Sequence, residues 1–173
     1  MSKERRAAAP GHRDRRSFGR AQDTGQTDPY RRPKKLAEPS VCRQCGAVFR
    51  EGRWTWAAKP AGAAEVLCQA CHRIDDRYPA GSVSLSGAYL GTPRHRSEII
   101  NLIRNQESLE KAEHPHNRVI EIDDTAEGLT VTTTDIHLPR RIAEAIRHAH
   151  QGSLDMHFDE DGYFFQAQWR RDA

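Results

Sequence analysis

The sequence predicts an α+β chain in four parts: a disordered basic N-terminal arm (1–38), a cysteine-bounded hairpin unit (40–75), a connector with an amphipathic helix (76–116) and a small β-β-α-β-β domain (117–173). Three observations carry this reading. All four cysteines fall in two C-x-x-C pairs. Apolar residues recur at helical spacing over 96–112 and again over 142–149. Around the second of these helices, short segments alternate apolar and polar residues, the period of a half-buried strand. With 173 residues, 36% of them hydrophobic, and a mean hydropathy of -0.84, the chain has room for one modest domain or two small ones and not for a large enzyme with a deep site. No stretch approaches the ~20 consecutive apolar residues of a membrane-spanning helix. Asp14-Arg15-Arg16-Ser17-Phe18 is followed by polar residues, where an export signal would have an apolar run, so the expected location is cytoplasmic.

Charge is unevenly spread. The net is +3, but residues 1–40 hold 11 Lys and Arg against 5 Asp and Glu, and the remainder holds 16 against 19. A basic arm is thus joined to a mildly acidic body, a pattern that suits an anionic partner such as nucleic acid. The arm carries the pairs Arg5-Arg6, Arg15-Arg16, Arg31-Arg32 and Lys34-Lys35, with too few apolar side chains to offset the ordering entropy of roughly 1–2 kcal/mol per residue. It reads either as a solubilising tail or as an arm that neutralises phosphates.

The cysteines are Cys42-x-x-Cys45 and Cys68-x-x-Cys71, with 22 residues between Cys45 and Cys68. A two-residue spacer lets both thiolates of a pair point at one ion, and a hairpin of this length brings two pairs together. Gly46 permits the tight turn after the first pair. Four soft thiolates in a tetrahedron are what zinc takes in a closed structural site. Disulfides, a redox pair or an iron–sulfur cluster are the competing readings of the same residues. A segment of about 35 residues buries too little surface to fold without a staple. The expected cofactor is therefore one structural zinc held by Cys42, Cys45, Cys68 and Cys71, in a zinc ribbon. Trp54 and Trp56 lie between the pairs with Arg50, Arg53 and Lys59. Indoles beside cations can stack on exposed bases while the cations meet phosphates. Alternatively, the rings pack against the helix at 96–112.

Tyr78-Pro79-Ala80-Gly81 reads as a turn, and 82–90 as a short strand or extended connector. Over 96–112, Ile99, Leu102, Ile103 and Leu109 share one side; Ser97 is the expected N-cap and His114-Pro115 the stop. Over 118–123, Ile120 and Ile122 share a side, and Leu129, Val131 and Thr133 do so after a turn at 124–128. Asp135 can cap the following helix, whose expected buried stripe is Ile142, Ala145, Ile146 and Ala149, with Gly152 as its stop. Leu154, Met156 and Phe158 alternate, Glu160-Asp161-Gly162 turns, and Tyr163, Phe165, Ala167 and Trp169 alternate again. On the outer side of that helix, Arg140, Arg141 and Arg147 are a second candidate phosphate-contacting set, which Arg170-Arg171 can extend.

Val41-Cys42-Arg43-Gln44-Cys45-Gly46 and Leu67-Cys68-Gln69-Ala70-Cys71 resemble the ribbon modules of ribosome-associated and translation proteins. With Arg77-Tyr78-Pro79-Ala80-Gly81, Glu113-His114-Pro115 and Thr132-Thr133-Thr134-Asp135-Ile136-His137-Leu138, the chain resembles a bacterial family of short zinc-ribbon proteins. That family is distantly similar to the zinc-ribbon adaptor that escorts the large ribosomal subunit from the nucleus. The resemblance implies RNA, ribosomal RNA or ribosomal proteins as partners. The chain has one set of cysteine pairs, where the adaptor family generally has more, and only the four cysteines carry over as ligands.

The expected function is thus a non-enzymatic RNA-binding adaptor. Two other classes compete. A protein–protein module would recruit another protein through the ribbon and the helix at 96–112, with RNA binding incidental. A hydrolase or nuclease would gather some of the nine histidines (His114, His116 and His137) with Asp123, Asp124 and Asp135. No nucleophile elbow, H-E-x-x-H or Gly-rich phosphate loop supports the last.

Overall fold

The computed structural model describes residues 29–30, 35–159 and 163–173. Most of the expected arm and the turn at Glu160-Asp161-Gly162 lie outside the described residues. Within the arm Tyr30 is described: it is buried, donates its hydroxyl to Asp76 Oδ2 at 2.8 Å, and lies under the Arg73 guanidinium, 4.4 Å from the ring centre. An aromatic ring offers enough apolar surface to anchor a segment that is otherwise polar.

The described residues build a mixed α+β fold of two sheets and three α-helices. The first sheet takes β1 (Ser40–Cys42), β2 (Val48–Arg50), β3 (Arg53–Thr55) and β4 (Ala64–Val66) in the order β3-β2-β1-β4, and α1 (Gln69–Asp75) follows it. β2 and β3 form a hairpin closed by Glu51 and Gly52, both at positive φ (53° and 76°), the twist that a two-residue turn needs between right-handed strands.

The second sheet holds β5 (Gly81–Ser86), β6 (Val119–Thr125), β7 (Gly128–Thr133), β8 (Ser153–Phe158) and β9 (Phe165–Arg170) in the order β6-β7-β5-β9-β8. The segment read as a short strand or connector is its central strand. β5 runs antiparallel to β7 and parallel to β9. The pairing of β5 with β7 needs glycine at the start of β7: at Gly128 a Cβ would stand 2.1 Å from the Leu85 carbonyl oxygen. One face of the sheet buries Val83, Leu85, Leu129, Val131, Phe165, Ala167 and Trp169 under the helices. On β6 the side expected to hold Ile120 and Ile122 is re-phased. A register shift between Val119 and Glu121 brings Val119 and Ile122 to the core instead.

Helix α2 (Pro93–Glu113) begins one turn before the expected Ser97 cap, at Thr92, because Pro93 occupies the first helical position, where its missing N–H costs nothing. It ends at His114 as expected. Ile99 and Ile103 are buried, Leu102 is partly covered, and Leu109 is 59% exposed. Helix α3 (His137–His150) is capped as expected: Asp135 Oδ2 accepts from the N–H groups of His137 at 2.7 Å and Leu138 at 3.1 Å. Its buried stripe is Leu138, Pro139, Ile142, Ala143 and Ile146, not the expected Ile142, Ala145, Ile146 and Ala149. The helix rests on the sheet through its first turns and turns Ala149 outward at its end.

Candidate metal centre

Cys42 ends β1, and Cys45 follows on a tight turn. The Cys42 N–H donates to the Ala47 carbonyl at 2.8 Å and the Gly46 N–H to the Cys42 carbonyl at 2.9 Å, with Gly46 at φ 79°. This is the expected role of the glycine. Cys68 is the N-cap of α1, its sulfur accepting from the Cys71 N–H at 3.4 Å, and Cys71 lies in the first turn. The parallel pairing of β1 with β4 sets Cys42 opposite Val66 and so brings the second pair against the first.

All four sulfurs lie within 4.8 Å of one another, with Cys42 Sγ 3.8 Å from Cys71 Sγ and Cys45 Sγ 3.8 Å from Cys68 Sγ. None of the four is in a disulfide. Zinc–sulfur bonds of ~2.3 Å in a tetrahedron require sulfurs ~3.8 Å apart, so the donor set fits the ion in spacing and number. Three of the four cysteines are buried and Cys45 is partly exposed. Burial works against the Cys42 thiolate, but N–H groups of Cys45, Cys68 and Gln44 prevail and hold its pKa at about 6. Burial pushes the Cys68 thiol well up, as do the neighbouring sulfur charges, and burial likewise raises Cys71. Four thiolates so close cannot all ionise by themselves; a divalent cation at their centre removes the conflict.

One further side chain reaches the cluster. Arg118, immediately before β6, places Nη2 3.3 Å from Cys71 Sγ and 3.5 Å from Cys68 Sγ. Burial opposes its charge, but the hydrogen bond to Cys71 and the neighbouring sulfur charges outweigh it and raise its pKa. The sequence gives no local sign of this contact, since 47 and 50 residues separate the partners.

The residues expected to meet RNA are divided. Arg50 and Arg53 face each other across the β2–β3 hairpin and are both exposed. Trp54 is half-buried, its ring centre 5.4 Å from that of Phe49 and 5.1 Å from that of His116. Trp56 is 38% exposed and donates its indole N–H to the Lys111 carbonyl on α2 at 2.6 Å. The two indoles therefore join the ribbon to the rest of the chain. Lys59 pairs with Glu65 at 3.2 Å. On α3, Arg140 pairs with Glu144 at 3.1 Å and Arg141 with Glu110 at 2.6 Å, while Arg147 is exposed. Arg171 stacks on Tyr89, 4.0 Å from the ring centre, and Arg170 pairs with Asp172.

The residues of the hydrolase reading are also separated. His114 and His137 line one open groove of about 570 Å³ with Glu110, Asn117, Arg140, Arg141 and Glu144. His116 is mostly buried beside Trp54. Asp124 pairs with Arg96, and Asp123 is exposed on β6. Among the described residues, the four cysteines are the group of Cys, His, Asp and Glu side chains close enough to share an ion.

Comparison with family models, curated proteins and solved structures finds no match.

Proposed function

We propose that the chain is a non-enzymatic zinc-ribbon adaptor that binds RNA, with ribosomal RNA or a ribosomal subunit as its target. The observation that supports this most is the closed cluster of four sulfurs. With every tetrahedral position taken by the protein, none is left to activate water, so the ion serves the fold. It braces a hairpin whose Arg50 and Arg53 stand side by side and exposed. Zinc is the ion proposed because soft thiolates in a tetrahedron select it over harder cations. The net +6 of residues 1–40 supplies further phosphate contacts. The protein–protein reading needs the ribbon and α2 to recruit a partner, and on the apolar side of α2 Ile99 and Ile103 are taken up by the chain's own core.

The test uses the full zinc-loaded chain and a fluorescent single-stranded RNA, titrated at several salt concentrations. If the arm and hairpin together engage about five phosphates, log K against log salt has a slope near −3.5, at ~0.7 per contact. Replacing both Arg50 and Arg53 with alanine should weaken binding and flatten the slope by about 1.4. An unchanged slope removes the hairpin from the interface, and no binding at low salt rejects the RNA reading. Elemental analysis of the same preparation should return one zinc per chain.

A further inference from the structure

The four sulfurs are held by two different parts of the chain. Arg118 is 7% exposed. Its backbone is fixed where β6 begins and β7 ends: its N–H donates to Thr134 Oγ1 at 3.0 Å, and the Thr134 N–H donates to its carbonyl at 2.9 Å. Anchored there, the guanidinium donates to the sulfurs of Cys68 and Cys71. Four thiolates around a divalent ion carry two surplus negative charges, and a buried guanidinium offsets one of them.

This makes the sulfurs unequal. Cys68 and Cys71 are buried and both accept from Arg118. Cys42 is buried and accepts from the Cys68 N–H at 3.4 Å. Cys45 is partly exposed, and among the described residues no N–H is bonded to its sulfur. An N–H bond draws electron density from a thiolate and makes it a weaker nucleophile, while exposure lets a reagent reach it.

We propose that Arg118 is an outer partner of the metal centre that shields the sulfurs of Cys68 and Cys71, and that Cys45 is the modification site at which soft electrophiles enter. This rests on the four cysteines holding zinc. With a maleimide the step is an addition. The Cys45 sulfur bonds to one alkene carbon, the carbon–carbon π bond breaks, and a solvent proton completes the other carbon. Nothing leaves, and a thioether replaces the thiolate.

The zinc-loaded full chain is treated with sub-stoichiometric N-ethylmaleimide and the labelled cysteines are mapped by mass spectrometry. Cys45 should be labelled about tenfold faster than each of the others. In Arg118→Met, labelling of Cys68 and Cys71 should rise, and competition with a chromophoric chelator should show zinc held about 10–100-fold more weakly. Arg118→Lys, which keeps the charge, should recover part of the affinity. It also serves as the second variant should the methionine protein fail to fold. Even labelling of the four sulfurs in the wild type overturns the proposal, as does an Arg118 variant with unchanged labelling and affinity. A wild type unable to bind zinc overturns the metal reading and this proposal with it. Zinc bound normally with unordered labelling overturns this proposal alone.

Discussion

His116 illustrates how one residue acquires its character from distant neighbours. Its Nε2 is buried without a hydrogen-bond partner among the described residues, and Trp54 packs against its ring. Burial, followed by the charge of Arg118, pushes its pKa down to about 4. In the unfolded chain it titrates near 6.5. Between those values the unfolded state binds the proton and the folded state does not, so stability falls as pH is lowered through that window. The full change is about 3 kcal/mol. Urea unfolding of the wild type and of His116→Phe, at fixed zinc from pH 7 to pH 4, should show a shallower fall in the variant. Protonation of the cysteines lowers stability in both proteins, so the difference isolates the histidine. Equal slopes would refute the assignment. Sequence could name His116 as a titratable group beside His114 but not sort the two. One faces an open groove and the other a tryptophan, and no local pattern records the difference. Arg118 was hidden for the same reason. The cysteines were legible because their chemistry is written in short spacing.

At the scale of elements, legibility followed the range of the interactions. The strands β7, β8 and β9 alternate clearly, and Asp135 marks the start of α3 by a local hydrogen bond. β5 reads Gly-Ser-Val-Ser-Leu-Ser, which is short and half serine. Only its two remote partners make it the centre of the sheet. The β6 register shift moved the inward side by one residue, a change no periodicity can foresee. The central position has a measurable cost. Leu85, 2% exposed on β5, should lose about 2–5 kcal/mol of stability on replacement by alanine. Leu109, 59% exposed on α2, should change by no more than about 0.5 kcal/mol on the same replacement. Chemical denaturation of the two variants checks both values. A small effect at Leu85 would mean that β5 is not the strand around which the sheet is built.

For the whole molecule, two separate cores set the response to metal removal. The larger one lies between the second sheet and its helices; the smaller one is centred on the cysteines, with Trp54 and Leu67 against it. A core this small should not persist without the ion that its four cysteines are placed to hold. Hydrogen exchange read by mass spectrometry, with and without a zinc chelator, should show residues 40–75 losing protection. The strands β5, β7 and β9 should keep theirs. Loss should spread first to the start of β6, where Arg118 is left with a buried charge and no counterion. Equal loss across both cores would show that they form one cooperative unit.

The strand order has a consequence for how the chain is made. β5 leaves the ribosome well before β9, its partner on the parallel edge, which follows β6, β7, α3 and β8 in the chain. Until then that edge presents bare amide and carbonyl groups, the surface on which nascent chains pair with the wrong strand. The four cysteines all fall within 42–71, so the ribbon can gather its sulfurs on the emerging polypeptide before Arg118 reaches them. The sheet must wait for its final segment, and a message cut short before β9 would yield a product with an open, adhesive flank.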